Sequence, residues 1–212
     1  MFRALTAAGA ALAFAATGFS PGTAAAADDP PPDRVIIELT TVNGRGCPAG
    51  TMAVAVSPDN TAFTLMLGPM LAQVGVGSKP NDDLKQCQVR MMVRSPRGYT
   101  YAIDRADYTG MLHLEKGASG TVSVKNNVQG DYSAPMKRTF TGPADESWRI
   151  SNAPDPLVYA PCYPSSVDLN VALRVSAGTS DTSTTTSFLA LDSADGYARA
   201  DFHLAWKRCP AA

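Results

Sequence analysis

The chain has 212 residues, with 18 Lys and Arg against 19 Asp and Glu and a formal net charge of −1. That near-neutral balance, without a basic cluster, argues against nucleic acid and against anionic membranes as partners, because both require a concentrated positive footprint. Apolar residues reach 45% while aromatics reach 8%, which suits one globular domain with a sizeable core.

The opening "MFRALTAAGAALAFAATGFSPGTAAAA" predicts a signal peptide over residues 1–27. Arg3 is the positive n-region, Leu5 to Phe19 the apolar h-region, and Ala24 to Ala27 the small-residue cleavage site. An apolar run of roughly 15 residues falls short of the about 20 that a spanning helix needs. A secreted, extracellular protein is therefore expected, its mature chain starting near Asp28. Cleavage removes Arg3 and no acid, so the mature balance is 17 − 19, or −2. "DDPPPD", residues 28–33, is expected to be an exposed Pro-rich leader, since consecutive prolines favour polyproline II. Residues 34–210 are expected to form a single domain.

Apolar residues then recur with period 2, which marks strands with one buried face. Val35, Ile37 and Leu39 share the first such face. Met52, Val54 and Val56 share a second, and Phe63, Leu65 and Leu67 a third, joined by the turn Ser57-Pro58-Asp59-Asn60. Ala53 and Ala55 make the earlier of these two strands apolar on both sides, which predicts a central, covered position. Cys87, Val89, Met91 and Val93 alternate with Gln88, Arg90, Met92 and Arg94.

Strands are next expected at Tyr99 to Ile103 and Tyr108 to Lys116. The apolar parity changes between Tyr101/Ile103 and Leu112/Leu114, which predicts a bulge or turn within Asp104 to Asp107. Thr121 to Val128, Met136 to Thr141, Trp148 to Ser151, Val167 to Ser176, Thr184 to Leu191 and Ala198 to Lys207 follow. Breakers such as "SPRG", "KGASG", "TGPAD" and "NAPDP" separate them. No helical apolar period occurs after the signal. About ten strands predict an all-β, single-domain antiparallel β-sandwich of jelly-roll or Greek-key type.

Four cysteines, Cys47, Cys87, Cys162 and Cys209, in an oxidising compartment predict two disulfides. Three pairings are possible; the preferred one links chain neighbours, Cys47 with Cys87 and Cys162 with Cys209. Loops of about 40 to 48 residues then contribute roughly 4 kcal/mol each by restricting the unfolded chain. No C-x-x-C pair exists, and His113 and His203 are the only histidines, so no metal site and no cofactor are expected. Pairing also leaves no thiol to serve as a nucleophile.

His203 points away from Phe202, Leu204 and Trp206, His113 shares a face with Met111 and Glu115, and no G-x-S-x-G elbow accompanies them, which predicts surface residues. "DSADG", residues 192–196, has acids three apart and reads as a hairpin turn ahead of a calcium loop. Paired-carboxylate chemistry has Glu38, Asp104, Asp107 and Glu115 as candidates. Tyr99, Tyr101, Tyr108 and Tyr132 are candidate ligand-binding residues, since flat rings with polar tips suit sugar faces.

Several stretches carry a resemblance: "TVNGRGCPAGTMAVAVSPDNTAFT", "AQVGVGS", "TYAIDRADYTGMLHLEKGASG", "VYAPC", "LRVSAGTSDTSTTTSFLALDSADG" and "WKRCP". From about Arg34 to Pro210 the chain resembles the domain of unknown function 4360 family of small exported proteins of actinobacteria and fungi. The resemblance implies export, a β-rich domain and paired cysteines at Cys47, Cys87, Cys162 and Cys209; it implies no activity, cofactor or catalytic residue.

The function expected is a monomeric, non-catalytic binding module for an extracellular polysaccharide or protein. Alternatives are a polysaccharide hydrolase using paired acids, and a protease inhibitor presenting a braced loop near Cys47 or Cys162.

Overall fold

A computed structural model describes residues 27–48, 50–129, 134–191 and 198–210. The cleavage segment up to residue 26, Tyr132 and the 192–196 turn lie outside the described residues. Among the described residues there is no helix; twelve strands build two antiparallel sheets packed as a sandwich.

The five-stranded sheet contains β1 (Ile36–Asn43), β5 (Leu84–Arg94), β10 (Ser165–Ser176), β7 (Ser119–Val128) and β8 (Met136–Thr141), in that order. The seven-stranded sheet is built on β6 (Tyr99–Leu114). β9 (Ala144–Asn152) pairs with one side of β6, over Ala106 to Leu114. β12 (Arg199–Arg208) and β11 (Thr186–Leu191) therefore share the other side in tandem, β12 against Tyr99 to Tyr108 and β11 against Gly110 to His113. β3 (Ala62–Met66) and β4 (Met70–Gly75) lie in tandem beyond them, and β2 (Ala53–Val56) closes the edge against β3.

Period-2 patterning explains the layering. Val167, Leu169, Val171, Leu173 and Val175 of β10 are each at most 2% exposed, while Asp168, Asn170 and Arg174 face outward. Opposite them Phe63 and Phe202 are register partners whose rings stack at 4.6 Å, and Tyr108 meets Phe202 edge-on at 6.3 Å. Burying each such side chain contributes about 1.5–3 kcal/mol, so the inter-sheet layer is the main source of stability.

The predicted parity change is a bulge at one residue. His203 pairs with Arg105 and Leu204 with Ile103, so Asp104 is the extra residue and β6 continues as one strand where two were expected. β4 was not anticipated, because "MLAQVG" is short and loses its side chains to glycine at one end. β9 also begins four residues before the expected Trp148.

One further expectation is corrected. β2 is an edge strand with Ala53 and Ala55 exposed; their methyl groups are small because the position needs no packing partner, not because a layer covers it. The 28–33 segment is exposed at every residue but Pro31 and is also tied to the domain. Asp28 forms a bridge to Trp206, Pro31 is buried, and the Asn60 Nδ2 donates to the carbonyls of Pro31 and Asp33, each at 2.9 Å.

Candidate binding face

The outer face of the five-stranded sheet is a lattice of amides and short side chains. Gln88, Asn170 and Lys125 are successive register partners across β5, β10 and β7. The neighbouring rows are Arg90–Asp168–Asn127 and Gln86–Ala172–Ser123. Alternation fixes all of these outward, because Cys87, Val89, Val122, Val124, Leu169 and Val171 take the inward positions. Ala172 and Ser123 are short beside Gln86 and Gln88, so the surface sinks between them. A depression of about 220 Å³ lies over Gln86, Gln88, Ser123, Lys125, Asn170 and Ala172. A second, of about 330 Å³, adjoins it over Gln88, Arg90, Asn127, Asp168 and Asn170. Gln88 and Asn170 line both, which joins the two into one groove.

The groove's chemistry is bidirectional. Each amide offers both donors and an acceptor, the complement of a hydroxyl. Arg90 and Asp168 neutralise one another in a forked pair, Nε to Oδ1 at 2.6 Å and Nη2 to Oδ2 at 3.0 Å. The Asn127 Oδ1 is buried and has no partner among the described residues. No signal in the sequence marked this face beyond the polar half of each alternation; strand order alone makes neighbours of residues 86, 123, 125 and 170.

Of the tyrosines named from sequence, Tyr101 and Tyr108 are core residues, and Tyr132 lies outside the described residues. Tyr101 is 1% exposed and Tyr108 0%. Their rings belong to the core, with the Tyr101 hydroxyl against Ser165 at 2.9 Å and the Tyr108 hydroxyl donating to Asn126 Oδ1 at 2.6 Å. Burial pushes the Tyr101 phenol up to about 12 and raises Tyr108 as well. Period-2 reading could not separate an aromatic facing the core from one facing a ligand. Tyr99 is half-buried beneath the Arg208 guanidinium, 5.2 Å from its ring centroid.

The acids are spread over separate places. Glu38 pairs with Arg94 on the five-stranded sheet at 3.1 Å. Asp104 lies in the bulge with its Oδ1 buried and without a partner among the described residues. Asp107 is 5% exposed on the opposite sheet. It accepts from the Ser151 hydroxyl at 2.5 Å and from Arg105 Nε at 3.0 Å, with Arg149 Nη2 and His203 Nε2 each at 3.2 Å. Burial raises its pKa, but the Ser151 hydrogen bond and the Arg105 and Arg149 guanidiniums outweigh burial and hold the carboxyl below its usual range. A group so held is a poor general acid. Ser151 bonds the carboxylate and not the imidazole, so no serine–histidine relay exists there.

Glu115 and Asp145 flank His113, at 3.3 Å from Nε2 and 3.0 Å from Nδ1. Among the described residues no cluster of histidine, cysteine and acids has the arrangement of a metal site.

Both disulfides take the expected connectivity. Cys47–Cys87 ties the turn-rich 44–48 stretch to the core side of β5, and Cys162–Cys209 ties the 153–164 segment to the end of β12. No free cysteine remains.

Comparison with known proteins adds a family and a location. The family model described as "Domain of unknown function (DUF4360)" matches residues 33–209. An uncharacterized secreted protein of Arthroderma benhamiae is 31% identical over 183 residues, spanning 85% of this chain and 74% of that relative. A secreted, disulfide-paired all-β chain matched along nearly all of its folded length belongs to the DUF4360 family.

Proposed function

We propose that the protein is a non-catalytic module that holds an extracellular polysaccharide in the groove of the five-stranded sheet. The observation that carries this reading is the shared Gln88–Asn170 line, on which two depressions meet under a row of amide side chains. Such a row supplies many modest hydrogen bonds along an extended polymer, each worth about 0.5–1.5 kcal/mol net. The one carboxylate that lines it among the described residues, Asp168, is already occupied by Arg90, which favours holding over proton transfer.

The test is retention on insoluble chitin, cellulose, xylan and peptidoglycan, with the double variant Gln88→Ala/Asn170→Ala beside the parent. Retention on at least one polymer, lost in the variant at unchanged thermal stability, supports the reading. Loss of the groove side chains without loss of retention moves the binding site elsewhere. Release of reducing sugar by the parent would return the paired-acid hydrolase to first place.

A further inference from the structure

We infer that the polymer held in this groove is anionic, bearing a carboxylate or a phosphate along its backbone, and that Lys125 is the residue that reads the charge. The inference rests on the binding reading above and adds the ligand class to it.

The cations of the five-stranded sheet divide into two groups. Arg90 is paired with Asp168, Arg94 with Glu38, Arg174 with Asp83, and Lys85 at the start of β5 with Asp82. Each of these is neutralised within the domain and contributes little net field. Arg138 of β8 has no acid partner but lies over the Phe140 ring and donates to the Arg149 carbonyl, whereas Lys125 and Lys137 have neither an acid nor a ring partner among the described residues. They stand on either side of Ser123: Lys125 is two residues along β7, on the same face, and Lys137 is its register partner on β8. Lys125 is half-buried and lines the smaller depression, beside Asn170 and Gln88.

The domain therefore leaves uncompensated positive charge at the low, short-side-chain part of its groove, whereas it pairs the cations around it. A lysine whose stem lines the depression and whose ammonium has no counter-ion offers that charge to an anion arriving in the groove. The amides of Gln88 and Asn170 then meet the hydroxyls that adjoin that anion on a sugar ring. Two isolated lysines are far from the dense basic footprint that nucleic acid or an anionic membrane requires, so the net charge of −1 is no obstacle.

The experiment compares one backbone with and without charge. Affinity electrophoresis or titration calorimetry is run with polygalacturonate and with its methyl ester, and with a glycerol-phosphate polymer as the phosphate arm. Binding to either anionic chain with loss on the ester supports the inference, and the stronger arm identifies the source of the charge. Lys125→Gln should weaken that binding about three- to fivefold, the size of an exposed ion pair, and raising salt to about 0.5 M should do the same. Equal binding of the ester, or an unchanged Lys125→Gln variant, overturns the inference and leaves the polysaccharide reading standing. Retention on neutral chains alone does likewise. No binding to any polysaccharide, charged or neutral, overturns both. The Lys125 side chain makes no hydrogen bond or ion pair among the described residues, so the Lys125→Gln variant is expected to fold as the parent does.

Discussion

The indole Nε1 of Trp206 donates to the backbone carbonyl of Asn60 at 2.8 Å, joining the largest core ring of β12 to a turn residue in the left-handed region. Asn60 has φ 56° and is 3% exposed. Its Oδ1 accepts from the Val35 amide at 3.2 Å, and its Nδ2 donates to Pro31 and Asp33. One asparagine thus ends the β2–β3 turn, anchors the 28–33 strap and seats a tryptophan. Asn60→Ala removes two buried hydrogen bonds and one part-buried one at roughly 1 kcal/mol each and adds left-handed strain. A loss of about 3–4 kcal/mol in urea unfolding is expected, with Asn60→Gly losing less because the strain is relieved. A loss below about 1 kcal/mol for the alanine variant would show the clamp to be incidental.

Gly110 of β6 has no room for a side chain. A Cβ there would lie 2.1 Å from the Ala190 carbonyl and 2.3 Å from the Trp148 ring. The carbonyl belongs to the β6–β11 pairing and cannot withdraw without breaking the ladder. Gly110→Ala should therefore cost about 1–3 kcal/mol or more by overpacking, despite the gain in strand propensity. A melting temperature equal to the parent's would mean the two strands shift freely.

Acid should weaken the Asp107 cluster. Its folded pKa lies below the ordinary 3.8, so its contribution is complete above that value and is lost as pH falls through the folded pKa. Asp107→Asn removes this titration while leaving the shape. The parent should keep its full margin over the variant from neutral pH down to the ordinary carboxylate range and lose it as pH falls below that range; curves parallel at every pH would count against the cluster.

His113 should titrate late. Hydrogen bonds to Asp145 first, then to Glu115, raise its pKa above 6.5. That contribution is present below 6.5 and fades as pH rises through the folded value. An NMR titration of the ring proton should give a midpoint above 6.5, moving down in Asp145→Asn. A midpoint unaffected by that change would leave the pairing without energetic content.

The two bridges close sequence separations of 40 and 47 residues. Removing either pair by Cys→Ser should cost roughly 4 kcal/mol through the unfolded chain, with strain reducing the figure. A non-reducing digest should contain one Cys47–Cys87 and one Cys162–Cys209 peptide pair. Any alkylated cysteine in the native protein would contradict that pattern.

Local chemistry was enough for much of this molecule. Two-residue alternation in "VDLNVALRVS" and "CQVRMMVR" fixes strands and inner faces because side chains on a pleated backbone must alternate. The slip in parity at Asp104 exposed a bulge for the same reason. Even cysteine number in an exported chain implied two staples, and of three possible pairings the preferred one is the one formed. What alternation cannot carry is which strands lie side by side. The same alanines suit a covered centre or a bare edge, so β2 was misplaced. Tyr101 and Tyr108 fit a core or a ligand face equally until the opposite sheet covers them. Lys125, Asn170 and Gln88 became one groove only through the β5–β10–β7 order, since contacts between residues dozens of positions apart depend on tertiary pairing and leave no local trace.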